Sequence, residues 1–489
     1  MASGSVKLGT ILSFCVVFYA MYYRKNELGD VRLSSVKDHL LFLENDNRVG
    51  MGSLQPRVAL GYGACQDLFV NATSLLDYRD LKGNPEHFNE ITSMEEFLKS
   101  FAYFFKHGAA AERFMSNSEL YDQLVAKAID LDDTKWAIGG NAPLMARRFF
   151  TEGWKVLLAA KMSDKLKGEL PQGINIVGVD MNEHVRDDVH MILEYKADAQ
   201  FGVYKAPRAN RYIMHNDENN PLLSSLEKLG ENLHNFNPHL LVISGLQMMD
   251  NFPFKQNGKD LRAERLDLVK EQILSLPEHT LAHFEMASYV DLELLLHLTT
   301  KVLPYVDSVG MNEQELSNLN SVLEQGKVVV VADSNPRIAT ALDQMRSVFR
   351  LIRHKNKQHG SKRQLTRIHV HTLAYQAILT VKNSDWKRTE AAAAKASLTA
   401  YRYVCDSKNI ELERAKLLLD DSFSTTTDND NNSRVFFEPT KPVACWNEVL
   451  EGEDVEFCVA PVLICTEAQL TAGAGDNISA AGLVLQVEL

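Results

Sequence analysis

The sequence is short of the residues that build a disulfide framework or a zinc site. Six cysteines, at positions 15, 65, 405, 445, 458 and 465, are spread over 489 residues. They are too few and too scattered for a disulfide-stapled scaffold, and no CxxC pair or Cys/His cluster offers tetrahedral zinc ligands. One disulfide among the last four fits the spacing. Positive charge is also in deficit: 52 Lys and Arg against 64 Asp and Glu leave a net charge of −12. That argues against a nucleic-acid partner, because a polyanion is bound by a basic face. There is no internal repeat, no phosphate loop of the GxxxxGK[ST] kind and no KDEL-like tail.

What is present is an ordinary globular composition, 45% hydrophobic and 24% charged. The length suits about two domains, or one large domain with a lid. At the amino terminus Lys7 precedes the apolar run LGTILSFCVVFYAMYY (8–23), closed by Arg24 and Lys25. The run is somewhat shorter than the roughly 20 residues of a comfortable membrane span. Residues 1–25 are therefore expected to be a signal peptide or an uncleaved signal anchor. The expected location is the secretory pathway: the endoplasmic reticulum lumen, the lumenal face of a membrane, or outside the cell. Membrane contact is confined to that segment, and a monomer is the default.

Beyond residue 50 strands and helices alternate. RVALGYG (57–63), KVLLAAKM (155–162), HLLVISGL (239–246), KVVVVADS (327–334) and RIHVHTLAY (367–375) read as strands. This alternation predicts an α/β fold, with a mostly parallel central sheet covered by helices and ligands at the carboxyl ends of its strands. Two segments break the rhythm. Residues 68–135 read as helical, and 186–216 as two alternating strands, so both are predicted to be insertions forming a smaller α/β lid on a catalytic domain spanning 50–489. The polar stretch STTTDNDNNSR (424–434) is expected to be a mobile surface loop.

Three short motifs carry chemistry. LAHFEMAS places His283 and Glu285 on alternate positions of a strand, hence on one side. SVGMNEQEL places Asn312 and Glu315 three apart, on one face of a helix start, which also reads as a capping box. TAGAGDNISAAGL puts Gly473, Ala474, Gly475 and Asp476 ahead of a small-residue helical run; Asp476 reads either as a helix cap or as a catalytic base. Phosphoryl transfer would use all three. Glu285 and Glu315, with Asp476 nearby, would hold Mg²⁺ directly or through water. Backbone amides at 473–475 would receive the phosphoryl charge, and Asp476 would accept the proton of the attacking hydroxyl.

In this order and spacing, the HxE, NxxE and GAGD motifs resemble the ADP-dependent sugar kinases of the ribokinase-like superfamily. The resemblance extends to the animal-type glucokinases through GAAAERF (108–114), GGNA (139–142), ILEY (192–195), KAPRANRYI (205–213), SGLQMMD (244–250), MNEQEL (311–316) and LTRIHVHTLAY (365–375). It covers roughly residues 55 to 485. It implies a ribokinase-like domain with a lid, glucose as acceptor, ADP as donor, Mg²⁺ or another divalent cation, and glucose 6-phosphate and AMP as products. The resemblance also assigns sugar contacts to Asp67, Glu112, Gly140, Asn141 and His190. On the nucleotide side it assigns Arg211 to the donor phosphates, with His371, which reads equally as a core histidine, and Val443 packing on the adenine. Gly63 departs from the pattern, since these kinases usually carry asparagine there in the first sugar loop. The rival readings are a kinase of the same superfamily using ATP or another sugar, and a membrane-tethered sugar or nucleotide sensor without catalysis.

Overall fold

The computed structural model describes residues 29–47, 55–179, 184–256, 259–330, 333, 335–430, 433–470 and 472–488. The expected signal segment, residues 1–25, lies outside the described residues. Among those described, no helix is long and apolar enough to cross a membrane.

In chain order the strands that frame the molecule are β1 (Arg57–Gly61), β2 (Cys65–Asn71), β3 (Glu90–Ile91), β4 (Ala111–Met115), β5 (Lys135–Gly139), β6 (Lys155–Ala159), β7 (Asn175–Val177), β8 (Asp188–Tyr195), β9 (Asn210–His215), β10 (Leu240–Ile243), β11 (Leu281–Glu285), β12 (Ser308–Asn312), β13 (Arg367–His371), β14 (Tyr375–Val381), β15 (Ala444–Leu450) and β16 (Glu453–Pro461). The helices used below are α1 (29–46), α2 (Met94–His107), α3 (Asn141–Thr151), α4 (Glu313–Gln325), α5 (Ile338–Gln358), α6 (Thr389–Val404) and α7 (Ala474–Val484).

The large sheet has ten strands in the order β15-β16-β14-β13-β12-β11-β10-β1-β6-β7. From β13 through β7 every pairing is parallel, and at the other edge β13–β14, β14–β16 and β16–β15 are antiparallel. Parallel strands are buried on both faces, so they read as continuous apolar runs rather than alternations. Strand β10, LLVI, is buried along its whole length. Its alternate residues feed two cores: Leu241 and Ile243 join the cluster that includes α4 and α5, whereas Leu240 and Val242 join the one that includes α3 and α7.

A second sheet, six strands in the order β3-β4-β9-β8-β2-β5, forms a lid. Helix α2 packs Phe97, Phe101 and Phe105 into the lid core with Leu68, Met191 and Tyr212. The segment expected to be helical over 68–135 thus contributes strands as well, because Cys65–Asn71 and Ala111–Met115 find partners contributed by 188–215, and Lys135–Gly139 pairs with Cys65–Phe69 at the sheet edge. The chain passes between large sheet and lid at 62–64, 139–141, 184–187 and 216–220, and residues at several of these crossings line one cavity.

Other details differ from the sequence expectations. Residues 327–330 form no strand: Asn318 Oδ1 accepts from the Val329 amide and Gln314 Nε2 donates to the Val330 carbonyl, so side chains of α4 take the backbone groups a strand would use. Ser422–Ser424 pairs with Arg434–Phe436, so a hairpin flanks the stretch expected as a surface loop. Thr427 is held by Asp343 Oδ2 through its amide (2.8 Å) and hydroxyl (2.6 Å). Two disulfides form rather than one, Cys405–Cys465 and Cys445–Cys458, and Cys65 is free and buried. Helix α1 packs Leu33, Val36 and Leu40 against α6 and buries Glu44 beside Lys395 (3.0 Å) and Arg402 (2.9 Å).

Candidate active site

Gly473 begins the last helix. Its φ of +73° is left-handed, a conformation glycine adopts without steric cost, and it stands at the N-cap with no side-chain cap. The first amides of α7 therefore have no partner inside the helix, and Ala474 and Gly475 line the cavity. Asp476 is the third helical residue rather than the cap. Its Oδ1 accepts a hydrogen bond from Asn141 Nδ2 at 2.7 Å, and Asn141 Oδ1 in turn accepts one from Gln247 Nε2 at 2.7 Å. Burial, reinforced by the charge of Glu285, pushes the Asp476 carboxyl up to about 7 against the opposing pull of the Asn141 amide.

Glu285 ends β11. Its Oε2 accepts from His283 Nε2 at 2.9 Å and from Ser479 Oγ at 2.5 Å, while His371 Nε2 lies 3.7 Å from Oε1. Gly310, next door on β12, gives this carboxylate its room, since a Cβ there would lie 2.4 Å from Oε2. Burial works to raise the Glu285 carboxyl, but the hydrogen bonds and charges of His283 and His371 outweigh it and hold the group near 2. Asn312 and Glu315 form the capping box in full: Asn312 Oδ1 accepts from the Glu315 amide at 2.9 Å, and Glu315 Oε2 accepts from the Asn312 amide at 2.8 Å. Burial pushes Glu315 to about 7.

The chemistry of this donor set fits a hard divalent cation. Glu285, Glu315 and Asp476 are oxygen donors lining the same cavity, two of them raised by burial and by repulsion from Glu285. Glu285 Oε1 takes neither of the two hydrogen bonds made to Oε2 and faces His371 at 3.7 Å. The oxygens of Glu315 are occupied by Asn312, which suits contact through water.

The other end of the cavity lies where the chain crosses to the lid. Asp67, Glu112 and His190 line it from β2, β4 and β8 of the lid sheet, with Gly140 and Asn141 from the crossing. Burial raises Asp67 to about 6, with His190 opposing. Burial alone would depress His190, but Asp217, whose two carboxylate oxygens each lie 2.9 Å from its Nε2, raises it to about 10. Glu112 Oε1 is 3.8 Å from the other ring nitrogen.

Asp67, Glu112, His190, Glu285, Glu315 and Asp476 line a single cavity of about 530 Å³. Arg211 joins them from β9 with a buried Nε that has no partner, a donor free for an anion. Ala400, Val404, Val462, Ile464 and Leu470 make the wall near α6 apolar. His371 lies against Glu285 and Gly475, at the carboxylate end. Val443 does not line the cavity; it is buried with Ile378, Ala392 and Cys458 in the core beneath α6. Sequence reading missed Gln247, Ser479, Asp217 and Asn220. The polar run NDENN (216–220) directly after β9 was the signal for the last two.

A family model described as the ADP-specific phosphofructokinase/glucokinase conserved region matches residues 56–485. The ADP-dependent glucokinase of Bos taurus is 33% identical over 432 residues, 87% of this chain and 84% of that protein. The ADP-dependent glucose/glucosamine kinase of Pyrococcus furiosus is 23% identical over 87% of this chain and 93% of that protein. A solved ADP-dependent kinase in complex with fructose 6-phosphate and ADPβS superposes with a TM-score of 0.66 at 17% identity, covering 93% of this chain and 97% of that one.

Proposed function

This chain belongs to the ADP-specific phosphofructokinase/glucokinase family, and from that premise we propose that it phosphorylates D-glucose at the 6-hydroxyl with ADP as donor, releasing AMP. The fold is a ribokinase-like α/β domain with a lid. The observation that carries the reading is Asp476 in the first turn of α7, beside amides with no helical partner and in one cavity with Glu285 and Arg211.

In this reading the 6-hydroxyl gives its proton to Asp476 as its oxygen attacks the β-phosphorus of ADP. The bond from that phosphorus to the bridging oxygen breaks, and the electron pair leaves with AMP. Asn141, oriented by Gln247, aims the Asp476 carboxylate. The amides of Ala474 and Gly475, with the Arg211 guanidinium, meet the charge that develops on the transferring group. Glu285, with Glu315 through water, would hold Mg²⁺, which when bound neutralises phosphate charge. The apolar wall near α6 suits the adenine.

The acceptor end favours a neutral sugar. Asp67 and Glu112 line that end, with Asp217 behind His190, so a phosphorylated sugar would meet repulsion where hydroxyls find acceptors. The two disulfides support placing the protein in an oxidising compartment of the secretory pathway. A screen of purified protein with ADP or ATP against glucose, glucosamine and fructose 6-phosphate tests the reading. Turnover of glucose with ADP is expected; turnover only with ATP, or only of the sugar phosphate, would contradict it.

A further inference from the structure

We propose that Asn220 is a positioning residue of the acceptor site: it fills the room beside Gly63, fixes the Gly63–Ala64 turn and orients Asp217 against His190. Acceptor selection is then governed from the loop after β9. The inference rests on the sugar-kinase reading above.

The geometry is specific. Gly63 has a φ of +81°, and a Cβ built on it would lie 2.8 Å from Asn220 Oδ1, so the amide of Asn220 already stands where a side chain at 63 would go. Asn220 is 4% exposed and lines the cavity. Its Oδ1 accepts from the Ala64 amide at 3.0 Å. Its Nδ2 donates to the Ala64 carbonyl at 3.1 Å and to Asp217 Oδ2 at 2.6 Å, which uses both of its hydrogens.

The loop carrying Asn220 is itself held. Asp188 Oδ2 accepts from the amides of Asn219 (3.1 Å) and Asn220 (3.0 Å). Asp217 is fully buried between His190 and His215, whose Nδ1 lies 3.4 Å from it; burial opposes its charge, and the two histidines outweigh that and hold it below the usual carboxylate range. A line of contacts therefore runs from Asp188 through Asn220 and Asp217 to His190 at the cavity wall. The same amide grips the turn carrying the residues just before Asp67. Asn220 does not offer a free donor to the sugar; it sets where the groups that do so stand.

A double-mutant cycle tests this. Asn220→Ala is expected to raise the KM for sugar about tenfold, as loss of one buried hydrogen-bond hub would, with a smaller fall in kcat and an unchanged KM for ADP. Gly63→Asn alone is expected to be worse than wild type, because its side chain collides with Asn220. The Gly63→Asn/Asn220→Ala protein is expected to recover most of the sugar KM, since an amide at 63 enters the vacated room, and asparagine tolerates positive φ better than most residues. Asn220→Asp, nearly the same in shape but unable to donate to both partners, is expected to behave like Asn220→Ala. It supplies the comparison if the alanine variant fails to fold.

Multiplicative effects in the double variant, or equal rises in both KM values, would overturn the proposal. The cycle is read on whichever of glucose, mannose, glucosamine or fructose 6-phosphate the wild type turns over fastest. A preference other than glucose overturns the glucokinase reading while the cycle still reports on Asn220. A wild type inert towards all four overturns both.

Discussion

Asn141 and Asp476, 335 residues apart in sequence, meet through a hydrogen bond of 2.7 Å at the start of the last helix. Asn141 opens α3 directly after the crossing from the lid, so the carboxylate is oriented by the segment that joins lid to sheet. Replacing Asp476 with Asn keeps the shape and removes the proton acceptor. The kcat of Asp476→Asn is expected to fall by about 10²- to 10⁴-fold, while calorimetry finds glucose affinity changed by only a few fold. Near-normal turnover would remove Asp476 from the role of base.

The position of the Asp476 carboxyl at about 7 predicts the pH profile. A protonated carboxyl cannot accept the hydroxyl proton, so the rate is expected to fall as pH drops through the neutral region. Asn141 stabilises the charged form, so Asn141→Ala should move the inflection to higher pH. A nearby cation favours the carboxylate, so raising Mg²⁺ should move it to lower pH. Profiles of kcat/KM at two Mg²⁺ concentrations check both shifts, and an inflection insensitive to either change would contradict the assignment.

Glu285 is expected to set the metal requirement. Glu285→Gln should raise the Mg²⁺ concentration for half-maximal activity strongly. Ser479→Ala, which removes only the hydroxyl 2.5 Å from Glu285, should raise it by about tenfold. Mg²⁺ titrations of initial rate read this directly. An unchanged requirement in both variants would place the cation elsewhere.

The buried cluster of Glu44, Lys395 and Arg402 ties α1 to α6, whose other side contributes Ala400 and Val404 to the cavity. Glu44→Ala leaves Lys395 with Glu152 alone, 2.8 Å away, and is expected to cost about 3 kcal/mol at pH 7. Burial works against the charge of Glu44, but Arg402 and Lys395 prevail and lower its carboxyl to about 2. A folded-state value below the ordinary 4.5 stabilises the fold above about 4.5 and loses that contribution as pH falls towards 2. Denaturant melts of wild type and Glu44→Ala should therefore converge on acidification, and a gap independent of pH would contradict the clamp.

Much of this architecture is legible in the sequence because parallel strands are continuous apolar runs with their functional side chains at the carboxyl end. LAHFEMAS shows His283 and Glu285 on one side of a strand, and NEQE shows a capping box, since both depend only on local spacing. What the sequence hides depends on register between distant segments. His190 faces His215 only because β8 and β9 pair antiparallel at that register, and Asp217 reaches His190 only through the same pairing. The apolar run at 327–330 has strand propensity, yet Asn318 and Gln314 take its backbone groups. Val443 carries no local mark of facing the core beneath α6 rather than the cavity. Asp476 looks like a cap from its position ahead of a helical run, but the left-handed Gly473 takes that place. Gly63 departs from the asparagine usual in that loop, and the structure fills its room with Asn220 from a loop 157 residues later.

The central claim is phosphoryl transfer from ADP to glucose at the Asp476 end of the cavity. Phosphorus NMR of the purified protein with ADP, glucose and Mg²⁺, beside an identical sample of ATP and glucose, tests it most directly. The account predicts that the β-phosphorus signal of ADP is replaced by AMP and a sugar 6-phosphate in equal amounts, with ATP left intact. Consumption of ATP with ADP untouched, or loss of the β-phosphorus to inorganic phosphate alone, would contradict it.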